Sequence, residues 1–301
     1  MDNYTSEFLL WEFSKIWELQ IMHVALLLIL YLMKVTWNLL IISAVVCDHH
    51  LYTPMYFFLM NLAMQYIGSV SVIIPKTLFD FLINIRTISH SGCVAQVMLL
   101  LFFLSCDISL LTVMAYDQYI AICNPLQYEM IMNKKACTKM IAAVWSASLL
   151  NASLHTTVTF MTPFCSNTIN QFCEVPYLLK IVCSNLYVSE TGFQIFSAML
   201  AIGCFAFVTY TYVHVFSAVL RIPSVQGTKK ACLPHLVVFF IFLFSCCLAY
   251  LKPTADSESH PNCIITIMYS IIPSMLNLLI YNMRNKDIKV ALSRLFASIH
   301  S

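Results

Sequence analysis

Two ionisable side chains lie deep inside apolar runs of this sequence: Lys34 in the run 21–46 and Asp107 in the run 94–122. Carrying a charge into hydrocarbon is costly, so such residues are functional candidates by default. Three histidines, His155, His214 and His235, fall in separate runs without metal-ligand spacing of the HExxH kind. Hydrolytic metal chemistry therefore has no support, and no cofactor is implied. Thirteen cysteines are present with no CxxC pair, and those inside apolar runs act as small hydrophobes. Cys165, Cys173 and Cys183 differ, because they lie in one long segment between apolar runs, and Cys93 opens the run 94–122. Two sequons occur, at Asn3-Tyr4-Thr5 and Asn151-Ala152-Ser153.

The elements that position these groups follow from composition. Of 301 residues, 60% are hydrophobic and 10% charged, against roughly a quarter charged in soluble domains. Mean hydropathy is +0.81. Only 5 glycines and 10 prolines occur, and the apolar runs are long and continuous, unlike the short alternating strands of a membrane barrel. The net charge of +2 gives no support for nucleic-acid binding. About 20 apolar residues cross a bilayer, and runs near 21–46, 55–80, 94–122, 139–161, 192–220, 232–251 and 263–282 predict seven helical spans in a single domain, 1–301. Beyond them, 285–299 alternates Lys286, Lys289 and Arg294 with Ile288, Val290, Leu292, Leu295 and Phe296. That pattern suits a short amphipathic helix on the membrane surface.

Basic residues set the orientation. Lys134, Lys135, Lys139, Arg221, Lys229, Lys230, Arg284, Lys286, Lys289 and Arg294 fall on one side; Lys15, Arg86, Lys180 and Lys252 fall on the other. Ten against four places 283–301 in the cytoplasm and 1–20 outside, for a multi-pass protein of the plasma membrane. Asp2, Glu7, Glu12, Lys15 and Glu18 precede the first apolar run, the wrong order for a cleavable signal peptide, so the first span is expected to act as an uncleaved anchor. Asn3 is then an outer glycosylation site, whereas Asn151 sits inside the fourth span, out of reach. Segment 162–191 forms a long outer loop holding Cys165, Cys173 and Cys183, and Cys93 opens the third span on the same oxidising face. Four cysteines there form two disulfides in one of three pairings.

The third span ends Met114-Ala115-Tyr116-Asp117-Gln118-Tyr119-Ile120-Ala121-Ile122-Cys123-Asn124-Pro125-Leu126. With one change, this resembles the MAYDRYVAIC signature of odorant receptors, a family of class A G-protein-coupled receptors. Pro54-Met55-Tyr56-Phe57-Phe58-Leu59, Lys229-Lys230-Ala231-Cys232-Leu233-Pro234-His235, and Pro273 through Asn277 to Tyr281 agree in order and spacing, so the resemblance covers nearly the whole chain. It implies an all-α seven-helix bundle, a small volatile or mostly apolar ligand, and a stimulatory G protein of the olfactory type that raises cyclic AMP. It also implies pairing of Cys93 with Cys173 and of Cys165 with Cys183. By the same resemblance the ligand pocket takes Val97, Leu100, Leu101, Leu104 and Ser105 from span three and Phe193, Phe196, Ser197 and Leu200 from span five. Spans six and seven add Cys246, Cys247, Tyr250, Ile267 and Ser270. An apolar cavity with a few hydroxyls suits a small hydrophobic ligand. The switch residues implied are Asp117, Gln118, Tyr119, Tyr212, His235, Asn277 and Tyr281, in a bundle whose two states the ligand biases.

Several positions depart from the family pattern. Gln118 replaces an arginine whose charge and reach glutamine lacks. Tyr66 replaces an intramembrane aspartate that helps bind sodium, and Leu278 replaces the proline after Asn277, removing the usual cause of a kink. Trp37 stands where the family has a glycine and is expected to push helices apart. The segment before Cys232 is about three residues short, roughly 4.5 Å of helix. Lys34 precedes Asn38 by four residues, so both share a helix face, and its ammonium is placed to take over part of the sodium's role near Asp107. These departures raise a non-signalling receptor-like protein as the alternative to a working receptor. A small transporter, which calls for an internal repeat and broken helices, has no support, since no repeat is present.

Overall fold

The structure is a computed structural model that describes residues 7–10, 17–83, 87–166, 168–169, 173, 175–182 and 187–221, with positions 290, 291, 293, 294 and 297. Five long helices dominate: α1 (Trp17–Cys47), α2 (Pro54–Ile83), α3 (His90–Cys123), α4 (Lys134–Met161) and α5 (Tyr187–Arg221). Each outruns its predicted span, because the helix continues through the polar flanks that hydropathy leaves out. At 31 residues α1 is about 46 Å long, more than the roughly 30 Å of a bilayer's hydrocarbon. Four stretches, Gln20–Cys47, Pro54–Ile83, His90–Cys123 and Gly192–Ala218, are long and apolar enough to cross a membrane. The predicted spans six and seven lie outside the described residues, and so does the start of the C-terminal helix.

Local sequence sets the helix ends. Pro54 opens α2, where its missing N–H costs nothing. Ser89 caps α3 by accepting from the Gly92 N–H at 3.2 Å, and Asn133 caps α4 by accepting from the Ala136 N–H at 3.0 Å. The motif segment ends at Cys123, where Asn124 and Pro125 break the helix before a one-turn helix at Tyr128–Ile131.

α3 is the hub, packing against α2, α4 and α5, while α1 packs on α2. The main core joins Ile41, Phe58, Leu62, Leu110, Leu111, Met114 and Val208, among others. Around it, Ile21, Met22, Leu26, Ile29 and Leu32 of α1 and Ile195, Met199 and Ile202 of α5 are exposed. Apolar faces of this extent need lipid or protein against them. Trp37 lies on that outer face at 39% exposed, so the expected wedge between helices is not formed. The reason is phase: Lys34 and Asn38 turn inward, and Trp37, one residue from Asn38, is about 100° away. Close approach occurs elsewhere, since a Cβ on Gly68 of α2 would lie 2.3 Å from the Phe103 ring of α3.

The all-α expectation needs one correction. Three short strands, β1 (Glu7–Leu10), β2 (Thr87–Ser89) and β3 (Thr168–Ile169), form a sheet of order β2-β1-β3. β1 is antiparallel to β2 and parallel to β3. Phe8 is fully buried there, packed with Ile88, Cys93, Val97, Cys173 and Leu178, and its ring meets His90 and Phe164. Strands this short carry no periodicity to detect in sequence. The segment 162–191 is accordingly not one open loop; it holds β3 and short helical turns, and α5 already begins at Tyr187.

At the C-terminal end Val290, Ala291, Ser293, Arg294 and Ala297 are helical. Ala291 is buried in the main core, and Arg294 pairs with Asp48 after α1 at 3.0 Å.

Candidate functional site

At the motif end of α3, Asp117 is buried and accepts a hydrogen bond from the Tyr128 hydroxyl at 2.9 Å. Burial and the Asp117 carboxylate together push the Tyr128 phenol above its usual range, so it stays protonated and donates. Gln118 does not stand idle: its Oε1 accepts from the Tyr212 hydroxyl of α5 at 2.8 Å. Arginine could not accept that bond. Tyr119 meets His214 of α5 edge-on at 6.2 Å between centroids. Asp117, Gln118, Tyr119 and Tyr212 are thus brought together, while His235, Asn277 and Tyr281 lie outside the described residues.

Midway along the bundle, Lys34 (1% exposed) and Asp107 (6% exposed) are buried, and their charges interact. The Lys34 ammonium also lies 5.5 Å from the Tyr66 ring centroid, a cation–π distance. Asn38, on the same face of α1, donates to the Lys34 carbonyl at 2.7 Å. Tyr66, a poor stand-in for a carboxylate, here gives a π face to a cation.

Towards the disulfide end, Ser105 accepts from the Asn151 amide at 2.9 Å. Ser197 donates to Asn151 Oδ1 at 3.2 Å and bonds His155 Nε2 at 2.7 Å. Phe193 lies edge-on to His155 at 6.0 Å. Of the expected pocket residues, Ser105, Phe193 and Ser197 therefore share one place. Val97 is buried in the outer cluster, with Leu101 packed against it, and Leu100 and Leu104 are half-buried. Phe196 and Leu200, at 59% and 54% exposed, lie on the outer face of α5. Cys246, Cys247, Tyr250, Ile267 and Ser270 lie outside the described residues. Sequence reasoning missed Asn151 and His155, the first set aside as an unreachable sequon and the second as a lone histidine. Their only signal was polarity inside an apolar run.

Above this, Cys93 and Cys173 form a disulfide, Cα atoms 5.5 Å apart. The Cys173 N–H donates to Gln96 Oε1 at 3.3 Å. Cys165 is also disulfide-bonded; Cys183 and Asn3 lie outside the described residues.

Long apolar helices, a disulfide-pinned cap at one end and a bonded polar cluster at the other define a multi-span helical membrane protein. Residues 27–298 match the sequence model of the family described as Olfactory receptor. The human protein Olfactory receptor 14C36 is 42% identical over 99% of this chain and 98% of its own length. Olfactory receptor 14I1, also human, is 42% identical over 100% and 99%, and human Olfactory receptor 14A16 is 43% identical over 96% and 95%. The chain belongs to the olfactory receptor family of G-protein-coupled receptors, which are not enzymes.

Proposed function

We propose that this chain is an odorant receptor with weakened coupling. A single seven-span domain, 1–301, has its N-terminus outside and an amphipathic helix at the cytoplasmic end. It binds a small, mostly apolar, volatile ligand towards the disulfide end, between spans three, five, six and seven. It acts through a stimulatory G protein of the olfactory type to raise cyclic AMP. The observation that carries this is the Asp117-Gln118-Tyr119 segment at the inner end of α3, bonded to Tyr128 and to Tyr212 of α5. Separating the ends of α3 and α5 requires breaking the Gln118–Tyr212 bond. The weakening follows from Gln118, whose neutral bond to Tyr212 offers a G protein no cation.

A non-signalling receptor is the second reading, favoured by Gln118 and Tyr66 together. The experiment compares the unmodified chain with Gln118→Arg and with Gln118→Arg combined with Tyr66→Asp, measuring surface labelling and cyclic AMP across an odorant panel. We expect a response from the unmodified chain that Gln118→Arg raises at least about tenfold, equivalent to roughly 1.4 kcal/mol. Normal surface labelling with a response only after reversion selects the second reading.

A further inference from the structure

Lys134, Lys135 and Lys139 open α4, and all three are exposed. No acid lies in its first turn, and none of the three lysines has an ion-pair partner among the described residues. Glu129, exposed in the one-turn helix before α4, pairs with none of them. Lys135 and Lys139 are one helical turn apart, so their like charges repel. They also lie on the outer side of the helix. Cys137, Val144, Ser148 and His155 make its buried stripe, and helical phase puts Lys135 and Lys139 opposite to it.

Further along α4 the exposed side turns apolar: Trp145, Leu149 and Leu150 are 37%, 48% and 62% exposed. Trp145 comes six residues after Lys139, about 9 Å along the axis. Its ring is held edge-on to Phe102 of α3, 6.4 Å between centroids. A lysine stem can lie along such a surface with its ammonium at the level of lipid phosphates, and an indole suits the boundary between headgroup and hydrocarbon. Cations at the end of an apolar strip match an acyl chain that ends in an anion. A free phosphate would leave Trp145, Leu149 and Leu150 uncovered, and a zwitterionic lipid would leave the lysine charges uncompensated.

We infer that the lysine end of α4 is a binding site for an anionic phospholipid, its headgroup across Lys134, Lys135 and Lys139 and its chains along Trp145, Leu149 and Leu150. This rests on the proposal that α4 crosses the membrane. In the proposed orientation that end meets the cytoplasmic leaflet, where anionic lipids are concentrated. The bound headgroup turns repulsion between the lysines into attraction and steadies the first turns of α4. Those turns follow directly on the one-turn helix whose Tyr128 holds Asp117.

The test places the full chain in phosphatidylcholine nanodiscs and reads the quenching of tryptophan fluorescence by phosphatidylserine or phosphatidylcholine brominated on the acyl chains. Comparison with Trp145→Phe isolates the share of the signal that belongs to Trp145. We expect brominated phosphatidylserine to quench that share at a mole fraction at least about fivefold lower than brominated phosphatidylcholine. The preference should vanish with Lys134→Gln, Lys135→Gln and Lys139→Gln together, persist when the same three become arginine, and shrink in high salt. Equal quenching of Trp145 by the two lipids keeps α4 in the bilayer and overturns the inference. No quenching of Trp145 by either lipid removes α4 from the bilayer, and the inference with it. A preference that survives the glutamine variant also overturns it; if that variant loses only the cyclic AMP response, the lysines face an acidic protein partner instead. If a variant does not fold, the difference between the two lipids on the unmodified chain, and its loss in high salt, decide alone.

Discussion

At the scale of the residue, Lys34 and Asp107 dominate, because two ionisable groups are buried together in a low-dielectric interior, close enough to interact electrostatically. Removing one partner of a buried pair leaves an uncompensated charge and costs about 3–5 kcal/mol, whereas replacing both with apolar groups of similar size is often neutral or stabilising. Lys34→Met alone is therefore expected to lower both Tm and surface labelling, and Lys34→Met with Asp107→Leu to recover most of the loss. Better surface expression of the single variant would sink the idea. The inward direction of Lys34 was legible from its four-residue offset to Asn38. That of Trp37 was misjudged, because a glycine in the family pattern says where a small residue is favoured, not which way its replacement turns. Gln118 taught the converse: its departure was plain in sequence, but its bond to Tyr212, 94 residues away, needed coordinates.

Elements bring a second kind of constraint, close packing between helices that sequence marks only by small residues. Gly68 faces the Phe103 ring so tightly that Gly68→Val must drive the ring off its seat or part α2 from α3. Overpacking of this kind costs about 1–3 kcal/mol, and the expected outcome is a lower Tm with a partial rescue by Phe103→Leu. At the disulfide end the same logic applies to Phe8, which is fully buried between a loop, a strand and α3. Phe8→Ala should cost about 3–5 kcal/mol, read as a fall in Tm and faster proteolysis of the N-terminal segment. The long helices could be located from apolar runs alone, since lipid demands their composition over whole turns. Their true ends could not, because the last turns are polar and are fixed by single capping bonds such as those of Ser89 and Asn133.

For the whole molecule, the proposed orientation makes a direct prediction: peptide-N-glycosidase should shift the mobility of the unmodified chain and not of Asn3→Gln, while Asn151→Gln should leave the glycan intact. A glycan lost with Asn151 would overturn the assignment of the fourth span, and the absence of any glycan on Asn3 would count against an outer N-terminus. The topology argument was available from the positions of lysines and arginines, as was membership of the family from the segment 114–126. The bonds among Ser105, Asn151, His155 and Ser197 were not, because these residues come from three helices and become neighbours only when those helices pack. The outer sheet was equally hidden, and it bears on how the chain is made. Its middle strand, β1, is synthesised first, yet its parallel neighbour β3 emerges about 160 residues later, roughly 8 to 30 s at typical rates of translation. Through that interval the N-terminal strand has at least one bare edge, which the proposed orientation exposes to chaperones in the lumen, so the speed of elongation through α3 and α4 sets how long the nascent receptor stays vulnerable to retention.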